Sequence, residues 1–297
     1  MKRVIAVFRL VRLPNTFTAW ADICLGFFAV LGAVTLNPTI FYPLIISTLI
    51  YWAGFVMNDV FDLAEDRRES PSRPLPAGDI SRRAAIIIMT VLLVAALAVA
   101  AVRLPMLAVA AVLIGAILLY NGVLKNTPAG PASMGICRLL NVVLGASILI
   151  PAAGGELFSA IAPALGVALA AMFFIAGLTF WSRSERGRAK RSDGIAALVC
   201  LNISFAAAWF VGFKADWRRE EIVVALGAAF TVAFEYLAIR ALIANRCEAY
   251  NRALRLGLSA IIIYDGLLIA AIVGPAGLLL WVLILPNLIL RRFFRTT

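Results

Sequence analysis

Histidine is absent from the 297 residues. Its absence removes imidazole from metal sites, from haem ligation and from general-base chemistry. Cysteine is sparse: Cys24, Cys137, Cys200 and Cys247 are scattered and never spaced as CxxC. Three of them lie in or beside apolar runs, so neither a disulfide frame nor a zinc site is indicated. Charge is scarce as well, at 14%, where a soluble domain carries about a quarter. In their place stand hydrophobic residues, 63% of the chain, with a mean hydropathy of +0.97.

Such a composition describes a polytopic membrane protein. Lipid leaves no water to satisfy backbone N–H and C=O groups, so spanning segments are helices or closed barrels. The apolar runs are roughly the 20 residues a helix needs to cross hydrocarbon, and they are apolar on all sides. The expected fold is therefore all-α, a single membrane bundle over 1–297 of nine to ten transmembrane helices around a central lipid-accessible cavity. Spans are expected near 15–36, 40–57, 84–102, 105–122, 135–152, 160–181, 195–213, 221–243, 256–273 and 276–290. The last two flank Gly274-Pro275-Ala276-Gly277 and read either as two spans or as one span plus a broken piece. No cleavable signal is expected, because the first apolar run follows Lys2, Arg3, Arg9 and Arg12 without a clear small-residue cleavage site.

Net charge is +11. In a soluble protein that excess would raise nucleic acid as a partner; here the positive-inside rule and anionic head groups or diphosphate account for it. With the N-terminus inside, 23 of the 27 Lys and Arg fall in inside segments and four outside. A multi-pass protein of the inner or plasma membrane with a cytoplasmic N-terminus is expected. The polar loops 58–83, 123–138, 182–194 and 244–255 then share the cytoplasmic side.

One of those loops carries a distinct pattern. The apolar run Leu44 to Met57 leads into Asn58-Asp59-Val60-Phe61-Asp62-Leu63-Ala64-Glu65-Asp66-Arg67-Arg68, and then Arg73-Pro74-Leu75-Pro76-Ala77-Gly78. On a helix Asn58, Asp62 and Asp66 recur every fourth residue and line one face. Three oxygen side chains with Arg67 and Arg73 just beyond suit a hard divalent cation and the phosphate it carries. The alternative is a solvated loop with a capped helix end. A weaker echo closes the sixth span, Thr179-Phe180-Trp181-Ser182-Arg183-Ser184-Glu185-Arg186, with Asp193 beyond. Two such mouths facing each other would hold a metal and a diphosphate over an apolar interior.

The spacing Asn58-Asp59-x-x-Asp62-x-x-x-Asp66, followed by Arg73 to Gly78, resembles the first aspartate-rich motif and loop of the UbiA superfamily of intramembrane prenyltransferases. The likeness extends to Arg12-Leu13-Pro14-Asn15, to Tyr120 through Lys125, and to Gly135 through Asn141. Those last two stretches, with Ser182-Arg183-Ser184-Glu185, look most like the EboC-like branch. The resemblance implies a helical bundle that binds a prenyl diphosphate through Mg²⁺ and transfers the prenyl group to a small-molecule acceptor: an aromatic ring, a natural-product precursor or a polar alcohol. Membrane lipid is the medium, and no nucleic acid is implied. The catalytic set is then Asn58, Asp62, Asp66 and Lys125. Metal ligands are Asn58, Asp62 and Asp66 with Glu185 opposite; Arg67, Arg73, Lys125, Arg138, Asn141 and Tyr120 meet the substrate.

Two departures stand out. The second motif has serines at 182 and 184 and only Glu185 as its acid, where the family places aspartates. Tyr120 and Lys125 are five apart rather than four, a shift of about 100° on an α-helix. A transporter, or a catalytically reduced relative that binds isoprenoid lipid, is the alternative reading. Transporters, however, place charges near the midplane on broken helices.

Overall fold

The computed structural model describes residues 2–150, 157–186, 190–216 and 220–293. Among them there is no strand. A short amphipathic helix, α1 (Lys2–Leu10), leads into α2 (Thr16–Leu31), α3 (Phe41–Phe61) and the seven-residue α4 (Leu63–Glu69). Then come α5 (Arg82–Ala100), α6 (Leu104–Leu119), α7 (Gly130–Ser147), α8 (Leu157–Ser182), α9 (Arg191–Lys214), α10 (Glu221–Ala244), α11 (Cys247–Val273) and α12 (Ile284–Phe293). Seven helices are long and apolar enough to cross a membrane by length and composition. α2 (16 residues) and α7 (18 residues) join them as shorter bundle helices.

The tenth apolar run is resolved by its packing. Pro275–Leu283 is a 3-10 stretch that continues directly into α12. It retraces α11 in the opposite direction: Gly277 lies on the backbone of Ala270, and Trp281 Nε1 donates to Ile263 O (3.1 Å). α12 then reaches the turn Leu13–Asn15 at the start of α2. Nine residues of 3-10 at about 2 Å each and ten of α at about 1.5 Å each reach the length of a bilayer crossing.

α2 and α7 form the axis of the bundle. Between them the backbones touch: a Cβ on Gly26 would overlap Val142 O, and one on Gly145 would overlap Ile23 O. Small residues at matched positions permit this approach, the usual device of membrane helices that cannot rely on hydrophobic exclusion. One core cluster lies on the α8–α11 side of this axis and a second on the α3–α5–α6 side. α8 and α11 are mostly buried, whereas α5, α6 and α10 turn most of their surface outward, with Val91, Val94, Val112 and Val232 exposed. A periphery of bare valine suits lipid, not water.

α3 is tied to α2 by three aromatic–threonine hydrogen bonds: Trp20 Nε1 to Thr48 Oγ1 (2.8 Å), Trp52 Nε1 to Thr16 Oγ1 (2.9 Å), and the Tyr51 and Thr18 hydroxyls (3.2 Å). These bonds fix the helix that ends in the acidic motif. They also place Trp52 between helices.

Candidate active site

α3 stops at Phe61, and Asp62 leaves helical geometry (φ −85°, ψ 1°) before α4 resumes. The stop falls where the apolar run ends and acids begin. Asn58, on the last turn of α3, and Asp62, at its cap, turn to the same point. Lys125 Nζ donates to Asn58 Oδ1 (2.6 Å) and is hydrogen-bonded to Asp62 Oδ2. All three side chains are half-buried.

Lys125 reaches that point through a π-turn. Tyr120–Leu124 is π-helical, and the Lys125 N–H closes on Tyr120 O at 2.9 Å, five residues back. The extra residue is absorbed by the wider turn, so the expected 100° displacement does not arise. Asn121 faces elsewhere, donating to Ile117 O (2.9 Å) and toward Met57 Sδ (3.8 Å). Tyr120 is buried in the core on the α3–α5–α6 side.

Asp66 does not share the Asn58–Asp62 point. The break at Asp62 turns it toward the 70–81 loop, where Arg73 Nη1 donates to both of its oxygens (2.7 and 2.8 Å). Asp59 is buried and accepts from Arg12 Nη2 (3.3 Å), whose guanidinium lies 4.7 Å from the Phe55 ring centre. Arg12 has left-handed backbone angles (φ 49°, ψ 52°). Such a conformation costs a non-glycine residue on the order of 1 kcal/mol. Arg67 is exposed on α4.

Arg138 and Asn141 do not stand at a helix start. α7 begins at Gly130, five residues earlier than the apolar pattern suggested, because Gly130 to Ser133 are small enough to pack at the helix start. Arg138 and Asn141 are thereby carried about two and three turns into the bundle. There Arg138 Nη2 meets Asp22 Oδ1 (2.7 Å) and both oxygens of Asp265 (2.8 and 2.7 Å), with side-chain exposures of 7%, 6% and 0% for Arg138, Asp22 and Asp265. Asn141 accepts from Ser47 Oγ (2.7 Å) and donates to Ala19 O (3.1 Å) and Asp22 Oδ2 (3.0 Å). Asp22 on α2 and Asp265 on α11, acids within apolar helices, are thereby paired in the interior. Glu235, the third, accepts from Asn202 (3.4 Å).

The second mouth adjoins the first. Arg183 Nη2 donates to Thr127 O (2.8 Å), two residues past Lys125, and Arg183 Nη1 donates to Asp193 Oδ1 (2.9 Å). The side chain of Glu185 lies outside the described residues. Arg12, Arg183 and Thr127 were not among the expected site residues. Arg12 and Arg183 stand inside quoted motifs, which was their signal; a backbone carbonyl such as that of Thr127 leaves none.

A protein-family model, the UbiA prenyltransferase family, matches residues 17–295. The chain belongs to the UbiA prenyltransferase family. A digeranylgeranylglyceryl phosphate synthase of Halobacterium salinarum is 38% identical over 153 residues, 50% of this chain and 55% of that protein. The chain thus spans about half the length of the curated relatives it matches. Among solved structures, a digeranylgeranylglyceryl phosphate synthase in membranes superposes with a TM-score of 0.69 at 19% identity, covering 93% of this chain and 99% of that one. A UbiA homolog from Archaeoglobus fulgidus bound to GPP and Mg²⁺ gives 0.64 at 17% identity, covering 93% and 99%. These superpositions establish the fold. These curated relatives carry the synthase name and not that of an EboC-like branch.

In this UbiA-family chain the donor set fits Mg²⁺. Asn58 Oδ1 and Asp62 Oδ2 already share one cationic nitrogen, so two hard oxygens from one helix end converge where a divalent ion would need them. No three His, Cys, Asp or Glu side chains come together to hold a metal among the described residues. A Mg²⁺ ion held there would draw the rest of its shell from water and phosphate oxygens.

Proposed function

We propose that the chain transfers a prenyl group from an allylic prenyl diphosphate, with Mg²⁺, to a hydroxyl of a glyceryl-phosphate-type lipid, at the cytoplasmic face of the membrane. The convergence of Asn58, Asp62 and Lys125 at the mouth of an apolar bundle carries this reading. Family membership supports the reaction class. The synthase name of the relatives supports a glyceryl phosphate acceptor over the aromatic one among those expected from the sequence. Lys and Arg bias, 22 of 27 on the site's side of the membrane once Arg138, buried in the bundle, is left out, supports the cytoplasmic orientation.

Each residue has a stated task. Asn58 and Asp62 would hold Mg²⁺, with Glu185 approaching from the second mouth. When bound, Mg²⁺ supplies Lewis-acid neutralisation of the leaving diphosphate. Lys125 binds diphosphate oxygens and takes up charge as the C1–O bond lengthens. Asp66 and Arg73 brace the loop over the site, and Arg67 is an exposed cation at its rim. The bundle interior holds the hydrocarbon tail and excludes water from the allylic cation until the acceptor oxygen attacks.

The test is pyrophosphate release by the full chain in nanodiscs. Donors are geranyl, farnesyl and geranylgeranyl diphosphate; acceptors are alkylated glyceryl phosphates and, in parallel, aromatic acids. Release is expected only with Mg²⁺, lost with EDTA and restored by Mg²⁺, and raised by the glyceryl phosphate. Asp62→Ala is expected to abolish it while the protein remains inserted and monodisperse. Full activity of that variant would overturn the metal assignment; stimulation by aromatic acids alone would overturn the acceptor.

A further inference from the structure

Among the described side chains, the second mouth offers one acid, Asp193, and two serines where a second metal site would want acids, and the structure shows where these polar groups go. Ser182 Oγ donates to Thr179 O (2.8 Å), and Ser184 Oγ to Trp181 O (2.6 Å) and Asn251 Oδ1 (2.6 Å). Both hydroxyls are directed back into the helix end or across to α11. Asp193 is engaged by Arg183 at 2.9 Å. What this mouth turns toward the first is a cation. Arg183 lies 5.2 Å from the Phe180 ring centre and bonds Thr127 O. Thr127 belongs to the turn that carries Lys125, with its N–H and Oγ1 both on Leu124 O (2.9 and 2.8 Å). The cations of the two mouths are thus joined through one short turn. The Arg183 side chain is 31% exposed, and its two described side-chain bonds use two of five N–H groups.

We infer that Arg183 binds the diphosphate from the second mouth and takes the place of a second metal ion, so that the site works with one divalent cation. The inference rests on the prenyl-diphosphate reading above. A prenyl diphosphate ester carries up to three negative charges and the leaving diphosphate gains a fourth as the C1–O bond breaks; with the Asp62 carboxylate also at the ion, one divalent cation and one lysine leave negative charge unmatched. A guanidinium is permanently charged, and its planar fork matches phosphate oxygens. Asp193 takes one N–H of that fork and leaves others for phosphate oxygens.

The experiment uses the full chain in nanodiscs, geranylgeranyl thiolodiphosphate as an unreactive probe, and Mn²⁺ read by electron paramagnetic resonance. Wild type is expected to bind one Mn²⁺ per chain with the probe. Arg183→Gln should weaken probe binding about 10- to 100-fold, the range for a lost hydrogen bond to a charged group, with the Mn²⁺ count still one. Arg183→Lys should recover part of it. Asp193→Asn breaks the same internal ion pair but keeps the cation, so probe binding should stay within about threefold of wild type. Two Mn²⁺ per chain, wild-type probe binding by Arg183→Gln, or equal losses in Arg183→Gln and Asp193→Asn would overturn the inference. Asp62→Asn separates the two readings. If it keeps both Mn²⁺ and probe, the prenyl-diphosphate site itself is wrong; if it loses them while Arg183→Gln does not, only the role of Arg183 falls.

Discussion

At the residue scale, every described carboxylate of the two mouths that was singled out from sequence has a cation on it: Lys125 on Asp62, Arg73 on Asp66, Arg12 on Asp59 and Arg183 on Asp193. These pairs are half-buried at the mouth, between the roughly 0 to 1 kcal/mol of an exposed pair and the about 3 to 5 kcal/mol of breaking a dry one. Lys125→Met is expected to lower thermal stability modestly, its main effect falling on the substrate. It should raise KM for the donor diphosphate about tenfold or more, the effect of a lost charge-assisted bond; steady-state kinetics with varied donor checks this. The buried cluster behaves in the opposite way. Arg138 stands between Asp22 and Asp265 in a dry interior. Arg138→Met would strand two acids, and breaking such a pair costs about 3 to 5 kcal/mol. Thermal unfolding in detergent should show a large drop for Arg138→Met and a smaller one for Asp22→Asn, which keeps a polar partner for Asn141.

At the element scale, the π-turn at Tyr120–Leu124 shows how a helix accommodates an altered spacing. A five-residue gap read on an ideal α-helix shifts Lys125 by about 100° relative to Tyr120; one i→i+5 bond takes up the extra residue. Periodicity is legible in a sequence only while the helix keeps one pitch, so a local change of pitch is invisible there. The start of α7 is a similar case. Hydropathy finds where residues become apolar, not where hydrogen bonding begins, and Gly130 to Ser133 are helical without being strongly apolar. The α2–α7 crossing gives this scale its prediction. Gly26→Leu or Gly145→Leu places a side chain where a neighbouring carbonyl already sits. Each should destabilise by more than the roughly 1 to 3 kcal/mol typical of overpacking, because the obstacle is backbone. Yield of monodisperse protein and its unfolding temperature check the outcome.

At the scale of the whole molecule, the bundle divides its helices by environment. α8 and α11 are enclosed, α5, α6 and α10 face outward, and the α2–α7 axis holds the two core clusters together. All the site residues emerge at one end of that bundle. If the charge bias sets orientation as proposed, a cysteine introduced at Asp79, exposed in the 70–81 loop, should react with a membrane-impermeant maleimide only in inverted vesicles or lysed cells. One at Leu36, fully exposed on the opposite connection, should react in intact cells. The reverse labelling pattern would place the site outside. The four native cysteines are replaced first for this measurement.

The sequence by itself determined the all-helical membrane fold, nearly all the spans to within a few residues, and the first acidic motif with its arginine-rich loop. Composition and apolar run length are local properties, and lipid permits so few backbone solutions that they suffice. Only the tertiary structure decided which groups meet. Lys125 joins Asn58 across 67 residues, and Arg138 joins Asp265 across 127. It separated Arg73 and Lys125, which stay at the mouth, from Arg138 and Asn141, which bind the bundle from within. Charge pairing is settled by where helices cross and which faces they turn to one another. Those depend on close contacts such as Gly26 with Val142 and Gly145 with Ile23, which no single segment encodes alone.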